Sequence, residues 1–151
     1  MLALLKDHGI EVDIRDERSS GVTIEARFQG ELRPLQKEAA QAILKHDIGV
    51  LCAPTAFGKT AVTAYLIAER KINTLVLVHR RLLMDQWCER LKVFLDTKSI
   101  GRVGGGKDER TGLIDVAMIQ SLSRKGVIKD LVAEYGQVIV DECHHISAFS
   151  F

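Results

Sequence analysis

The chain is poor in the residues that mark several classes of protein. Its 151 residues include three cysteines and two prolines. Three cysteines without metal-site spacing argue against a disulfide framework, and two prolines exclude a proline-rich linker. No apolar run approaches the length of a membrane span, and the first ten residues lack the cationic start and apolar stretch of a signal peptide. We therefore expect a cytoplasmic protein with reduced thiols and no membrane partner.

The chain also lacks an excess of charge of either sign. The formal net charge is +1, and charged residues make up 27% of the chain. A protein without a global positive field can bind nucleic acid only through a local patch. The hydrophobic fraction of 46% is enough for one domain with a real core.

A small-residue loop is the most informative feature that is present. Residues 53–60 read Ala-Pro-Thr-Ala-Phe-Gly-Lys-Thr and lie between an apolar run at 48–52 and a helix-forming stretch at 61–70. A strand, a tight loop and a helix in this order are typical of the phosphate-binding loop of nucleoside triphosphatases. Backbone N–H groups and the helix N-terminus would face the phosphates. Lys59 would reach the β- and γ-phosphates, and the Thr60 hydroxyl would ligate Mg²⁺.

The first position of this loop departs from the usual pattern. Ala53 stands where the pattern has Gly, and Ala is costly if that site needs a positive φ. Taken alone, the loop leaves open a strand-to-helix turn with a chance Gly-Lys-Thr.

A second motif follows a second apolar strand. Residues 137–140 (Gln-Val-Ile-Val) lead into Asp141-Glu142-Cys143-His144-His145. An Asp at a strand end can hold Mg²⁺, and the adjacent Glu can polarise the attacking water. The alternative is an ordinary solvated strand end, but the two motifs in this order predict a site for a nucleoside triphosphate with magnesium. Cys143 and the two histidines have no second ligand cluster, so we do not predict zinc here.

The periodicity of the chain predicts an α/β fold. Alternating segments at 10–15 and 22–28, separated by Ser19-Ser20-Gly21, predict an N-terminal hairpin. Helices are expected at 34–45, 60–70, 81–95 and 125–135, and strands at 48–52, 74–78, 99–103, 115–119 and 137–140. Strands that alternate with helices indicate a parallel sheet. Trp87 shares a helical stripe with Leu83, Leu91 and Leu95, which favours a core position over a base-stacking platform.

These motifs resemble a known family. The loop at 53–60 with Asp-Glu-Cys-His-His is similar to the first RecA-like domain of superfamily 2 DExH-type helicases. The closest branch contains XPB-like proteins and type III restriction-enzyme ATPase subunits. Segments 32–36 (Leu-Arg-Pro-Leu-Gln), 77–87 and 116–122 also resemble motifs of that branch. The resemblance covers about residues 30 to 147, so we expect a lead-in at 1–30 and a RecA-like domain at 31–151.

The resemblance assigns further roles. It implies that Gln36 contacts the adenine base with Arg33 near the same ring, and that His144 couples the nucleotide site to a partner domain. It implies ATP as the nucleotide and a second RecA-like domain that supplies an arginine finger. The full set of residues predicted to bind the nucleotide is Arg33, Gln36, Ala53, Pro54, Thr55, Ala56, Phe57, Gly58, Lys59 and Thr60. Mg²⁺ is assigned to Thr60 and Asp141, and catalysis to Lys59 and Glu142.

Residues at predicted strand ends are candidates for nucleic acid. Ligands of α/β sheets bind at the carboxyl ends of the strands, and a glycine-rich loop lets the backbone approach a phosphodiester. The alternative is that each of these positions lies in a solvated loop without a ligand. The family resemblance favours contact with a nucleic-acid strand. The candidates are Arg80, Gly105, Lys107, Gln120 and Ser121. We expect contacts to the phosphates of DNA or RNA, with weak sequence specificity and strong salt dependence.

The sequence thus predicts part of an ATP-dependent helicase or translocase, with DNA favoured over RNA by the branch. The family's next motif and second domain are absent, so we expect an excised piece of a larger protein with little activity by itself. One alternative is a restriction- or repair-type motor that moves on duplex without separating strands. Another is a nucleotide-binding module without catalysis.

Overall fold

The structure is a computed structural model that describes residues 8, 19–97, 99–124, 127–128 and 130–143. Its helices are α1 (Pro34–Leu44), α2 (Lys59–Arg70), α3 (Arg81–Phe94), α4 (Ile119–Leu122) and a 3₁₀ helix (Asp130–Glu134). Its strands are β1 (Thr74–Val78), β2 (Gly101–Gly104), β3 (Lys107–Glu109), β4 (Ile114–Met118), β5 (Ser123–Arg124), β6 (Val127–Ile128) and β7 (Gln137–Val140).

Five of these strands form the main sheet in the order β3-β2-β4-β1-β7. β1 pairs in parallel with β4 and with β7, so that Thr74 lies beside both Ile114 and Gln137. β2 is parallel to β4, and β3 runs back antiparallel to β2 at the edge. The predicted α/β class, with a mainly parallel sheet flanked by helices, is confirmed.

The central strand β1 is buried on both faces of the sheet, which is why it is apolar at consecutive positions. Val76 and Val78 pack in the cluster that contains the buried residues of α2 and α3. Leu75 and Leu77 point to the opposite face and pack with the 3₁₀ helix and α4. The shared edge at the carboxyl ends of β1, β4 and β7 is therefore held from both sides.

Polar anchors close the opposite end of the sheet. The Asn73 side chain, which is 2% exposed, accepts from the backbone N–H groups of Val22 and Gly136 and donates to the carbonyls of Gly112 and Glu134. The buried Asp115 carboxylate accepts from the Tyr135 hydroxyl, and burial together with this bond raises the pKa of Tyr135. The hydrogen bonds of Asn73 and Asp115 are thus made within the protein, as is usual for buried polar groups, and they stabilise this end of the fold.

Two sequence predictions are wrong. Residues 48–52 form no strand, and Ile48 and Val50 are about 80% exposed. A strand forms only when a neighbour takes its backbone hydrogen bonds, and no strand in the described part of the chain pairs with this segment. The helix predicted at 125–135 is a short β5–β6 pair followed by the 3₁₀ helix.

The predicted hairpin near the N-terminus is only partly covered. Residues 10–15 lie outside the described residues. Within 22–28 the structure has one antiparallel bridge, from Thr23 to Ile72, and no strand. Of the helices that the structure describes, none combines the length and the apolar composition that a membrane crossing requires.

Candidate nucleotide site

The loop predicted to bind phosphate, called the phosphate loop below, is the connection between residue 52 and α2. Gly58 lies immediately before α2 with φ +89°, in the left-handed region. Its carbonyl accepts from the backbone N–H groups of Ala61 and Val62 at 3.0 and 3.2 Å. Lys59 opens the helix, and Thr60 follows with 8% of its surface exposed. Thus Gly-Lys-Thr forms the helix N-terminus, as predicted.

Left-handed backbone occurs at a different alanine from the one that the sequence suggested. Ala53 does not have a positive φ, whereas Ala56 has φ +67°. A residue with a Cβ costs about 1–2 kcal/mol in this region. The alanine whose backbone conformation favours glycine is therefore Ala56, not Ala53.

Helix α1 holds the loop from one side. The Gln36 amide nitrogen donates to the Phe57 carbonyl at 2.7 Å, and its oxygen accepts from the Arg33 backbone N–H at 2.8 Å. The Arg33 guanidinium donates to the same Phe57 carbonyl. Gln36 is 5% exposed. Its amide keeps one N–H donor and one oxygen lone pair for a ligand, because the two bonds above use the others.

A groove of about 550 Å³ lies between α1 and the loop. It is lined by Arg33, Pro34, Leu35, Gln36 and residues 54–57. Arg33 and Gln36, the predicted base-binding residues, therefore share one cavity with residues 54–57 of the loop, whereas Gly58, Lys59 and Thr60 do not line it. The structure also adds a loop-bracing role for Arg33 and Gln36 that the sequence did not reveal.

The second motif reaches the loop through its glutamate. The Asp141 backbone N–H donates to the Leu77 carbonyl at 2.9 Å, which continues the pairing of β7 with β1. The chain then turns at Glu142, whose φ is +54°. Its Oε1 lies 3.2 Å from Nζ of Lys59. Both side chains are about one-third exposed, so the pair brings the motifs together with little stabilisation of the fold.

Trp87 contacts the same motif. It is 5% exposed within the core, as the helical stripe predicted, and its indole N–H donates to Oδ2 of Asp141 at 2.8 Å. Nothing in the sequence indicates this bond directly. A buried indole N–H does need an acceptor, but periodicity cannot say which one.

The nucleic-acid candidates lie at the carboxyl ends of adjacent strands. Arg80 follows β1 and is exposed, and Gln120 follows β4 and donates to the His79 carbonyl at 2.9 Å. Ser121 is the next residue of α4.

Gly105 forms the β2–β3 turn with Gly106, and a Cβ on Gly105 would come within 3.2 Å of the Arg81 guanidinium. Lys107 opens β3 with its side chain 75% exposed and 3.8 Å from Glu109.

Cys143 and His144 continue the second motif after Glu142. Cys143 is exposed, and His144, predicted to couple this site to a partner domain, lies outside the described residues. The candidate site therefore consists of the loop, α1, the end of β7 and the indole of Trp87.

Comparison with known proteins agrees with this geometry. Residues 29–151 match the family described as "Type III restriction enzyme, res subunit". The chain is 34% identical over 116 residues to a DNA 3′-5′ translocase XPB2 of Sulfurisphaera tokodaii, covering 77% of this chain and 26% of the relative. It is 32% identical over 124 residues to a DNA 3′-5′ helicase XPB of Kineococcus radiotolerans, covering 78% of this chain and 22% of the relative.

A viral relative carries a different name. A putative ATP-dependent RNA helicase of Acanthamoeba polyphaga mimivirus is 31% identical over 128 residues, which is 82% of this chain and 25% of the relative. The chain thus spans about a quarter of the length of these curated relatives.

Proposed function

Since this chain belongs to the res-subunit family of type III restriction enzymes, we propose that it is the ATP-binding domain of an ATP-dependent DNA helicase or translocase. Its similarity to XPB-type proteins over the same residues supports this proposal. In the parent protein, ATP hydrolysis would be coupled to movement along nucleic acid, with a second RecA-like domain as partner.

One observation carries the proposal: Nζ of Lys59 and Oε1 of Glu142 lie 3.2 Å apart although 83 residues separate them. Phosphoryl transfer to water requires a lysine and a carboxylate that lie close together, because the lysine binds the phosphates and the carboxylate orients the water. Gly58 and the first turn of α2 add backbone N–H groups at the helix N-terminus.

The residues present suit Mg²⁺. The Thr60 hydroxyl and the Asp141 carboxylate are hard oxygen ligands, which this ion prefers. In the described part of the chain no group of three His, Cys, Asp or Glu side chains is placed to hold a metal ion by itself, so the ion would take further ligands from the nucleotide phosphates and water. Bound there, Mg²⁺ would neutralise charge on the β- and γ-phosphates.

The chemistry of the remaining residues follows from their places. The Glu142 carboxylate accepts a hydrogen bond from a water molecule and aligns it with the γ-phosphorus. The water oxygen attacks the γ-phosphorus and one of its protons passes to the Glu142 carboxylate, the bond from the γ-phosphorus to the bridging oxygen breaks, and ADP and phosphate leave. Adenine would occupy the groove beside Gln36 and Arg33, whose free donors could reach its edge.

The substrate polymer is proposed to be DNA, and its path to follow Arg80, Gly105, Lys107, Gln120 and Ser121. The names of the two XPB-type relatives refer to DNA, and that of the viral relative to RNA. A motor that moves on duplex without strand separation is the second candidate, favoured by the word translocase in the name of one relative.

Substitution of Lys59 tests the site. Lys59→Ala should weaken the binding of a fluorescent ATP analogue with Mg²⁺ by roughly tenfold to a hundredfold, because it removes a charge-assisted contact worth about 1.5–3 kcal/mol. The matched control is Lys37→Ala, an exposed lysine of α1 outside the groove. Equal affinities in wild type and Lys59→Ala would refute the assignment of the loop.

The partner of Lys59 gives a second readout in the same titration. Glu142→Gln removes the carboxylate that competes with the phosphates for Lys59, so this variant should bind the analogue at least as tightly as wild type. A loss of affinity in Glu142→Gln as large as in Lys59→Ala would show that the ion pair maintains the loop rather than the chemistry.

A further inference from the structure

The bond between Trp87 and Asp141 joins the core to the proposed metal site. Trp87 lies in the second turn of α3, and Asp141 lies at the end of β7, 54 residues later. The indole is the only one in the chain, and its nitrogen lies 2.8 Å from Oδ2 of Asp141. A buried aromatic side chain thus contacts a residue that the proposed function uses.

We propose that Trp87 is a positioning residue for magnesium, acting through Asp141. The inference rests on the proposed function, because Asp141 is the carboxylate assigned to Mg²⁺ there. The indole N–H holds Oδ2, so the carboxylate keeps one orientation and Oδ1 is the oxygen that would bind Mg²⁺.

The geometry supports an orienting role in two ways. The backbone of Asp141 is fixed by its bond to the Leu77 carbonyl, so rotation of the side chain is the freedom that remains. An indole N–H can only donate, and its bond to a carboxylate is charge-assisted and stronger than a neutral one. One bond to Oδ2 therefore restricts that rotation.

The position of Trp87 makes the restraint rigid. Its ring packs among buried residues of α3 and the sheet, including Met84, Cys88 and Leu91. A donor on a flexible surface chain would lose conformational entropy to hold Asp141, whereas the indole is already immobilised by packing. Hydrogen bonds of this kind to metal-binding residues typically affect metal affinity by about 10–100-fold.

A packing role alone predicts a different outcome. If Trp87 only fills the core, its replacement by Phe should weaken the fold and the binding of any nucleotide alike. If it orients Asp141, Trp87→Phe should affect only the part of nucleotide binding that depends on Mg²⁺. The two cases separate when binding is measured with and without the metal.

The first experiment observes the bond directly. A chain with one tryptophan gives one indole N–H cross-peak in a proton–nitrogen correlation spectrum. Asp141→Asn should shift that peak, because it replaces a charged acceptor, while Glu142→Gln, the same change at the next residue, should leave it nearly in place. An indole peak that is insensitive to Asp141→Asn would overturn the proposal.

The second experiment measures what the bond does. A fluorescent ADP analogue is titrated with Mg²⁺ and with EDTA into wild type, Trp87→Phe and the control Met84→Leu, a core change on the same helix face. We expect Trp87→Phe to lose roughly tenfold in affinity with Mg²⁺ and to match wild type in EDTA, and Met84→Leu to change neither.

Equal losses in both conditions would reduce Trp87 to a packing residue, and no loss in either would remove it from the site; both results overturn the inference. The proposed function fails differently: wild type itself would then bind the analogue in neither condition, and this inference would fall with it. Thermal unfolding of Trp87→Phe confirms that the comparison is made between folded chains.

Discussion

Ala56 shows how a single residue departs from what its loop requires. Its φ of +67° is a conformation that glycine adopts freely, and Phe57 beside it is fixed through its carbonyl by Gln36. The loop therefore keeps this conformation against the preference of the alanine side chain.

We predict that Ala56→Gly stabilises the chain by about 0.5–1 kcal/mol, since the relief of strain exceeds the added freedom of the unfolded chain. The matched control is Ala53→Gly, the same change where φ is not positive, which should destabilise by about 0.4–1 kcal/mol. Urea unfolding measures both. If the two variants shift in the same direction, the left-handed backbone at residue 56 is not a source of strain.

At this scale the sequence predicted where the motif residues lie but not the bonds between them. Lys59 and Thr60 begin a helix and Asp141 and Glu142 follow a strand, as their motifs predicted, while their roles in binding and catalysis stay predictions. The indole bond of Trp87 could not, since it joins a helix to a strand end 54 residues away. Such a contact depends on side-chain direction in the folded core, which periodicity does not encode.

Between elements, the contact of α1 with the phosphate loop is the least expected feature. Gln36 occupies the third position of α1 and closes its first turn through the Arg33 backbone N–H. The same side chain reaches the loop. One residue thus caps a helix, braces the phosphate loop and lines the groove proposed for adenine.

We predict that Gln36→Ala destabilises the chain by about 1–3 kcal/mol, because the Arg33 N–H loses its acceptor and the Phe57 carbonyl loses one donor. It should also remove a preference for ATP over GTP. Gln41→Ala, the same change at an exposed site on α1, is the control for helix propensity. Unfolding and competition titrations check both parts, and a wild-type chain without base preference would contradict the adenine role.

Element predictions succeeded where the pattern was long or buried on both sides. The bounds of α1, α2, α3 and β1 agree with the sequence to within one or two residues. Residues 48–52 have the composition of a strand, but composition cannot provide the neighbouring strand that pairing requires. The turn at Gly105 and Gly106, both with positive φ, forms a β-hairpin where the sequence suggested only a loop.

In the whole molecule, the proposed functional residues lie along one edge of the sheet, the one formed by the carboxyl ends of its parallel strands. Parallel strands place their carboxyl ends together, so the ends of β1, β4 and β7 carry Arg80, Gln120 and Asp141 in adjacent positions. Topology alone predicted this, because alternation of strands and helices implies a parallel sheet. A net charge of +1 means that any attraction for nucleic acid must come from a local patch of positive charge rather than from the molecule as a whole.

We predict that the double variant Arg80→Gln, Lys107→Gln weakens the binding of single-stranded DNA. The negative slope of log affinity against log salt should become shallower by about 1.4, since each lost phosphate contact contributes roughly 0.7 to its magnitude. Fluorescence anisotropy at four or more salt concentrations measures both quantities. The control is Lys71→Gln, Arg90→Gln, an equal charge change at exposed positions away from this edge: Lys71 lies near the start of β1, and Arg90 about 14 Å along α3 from its first residue. Loss of affinity in both variants with the same slope would mean that net charge alone governs binding. An unchanged slope in the first variant would place the nucleic-acid path on another face of the domain.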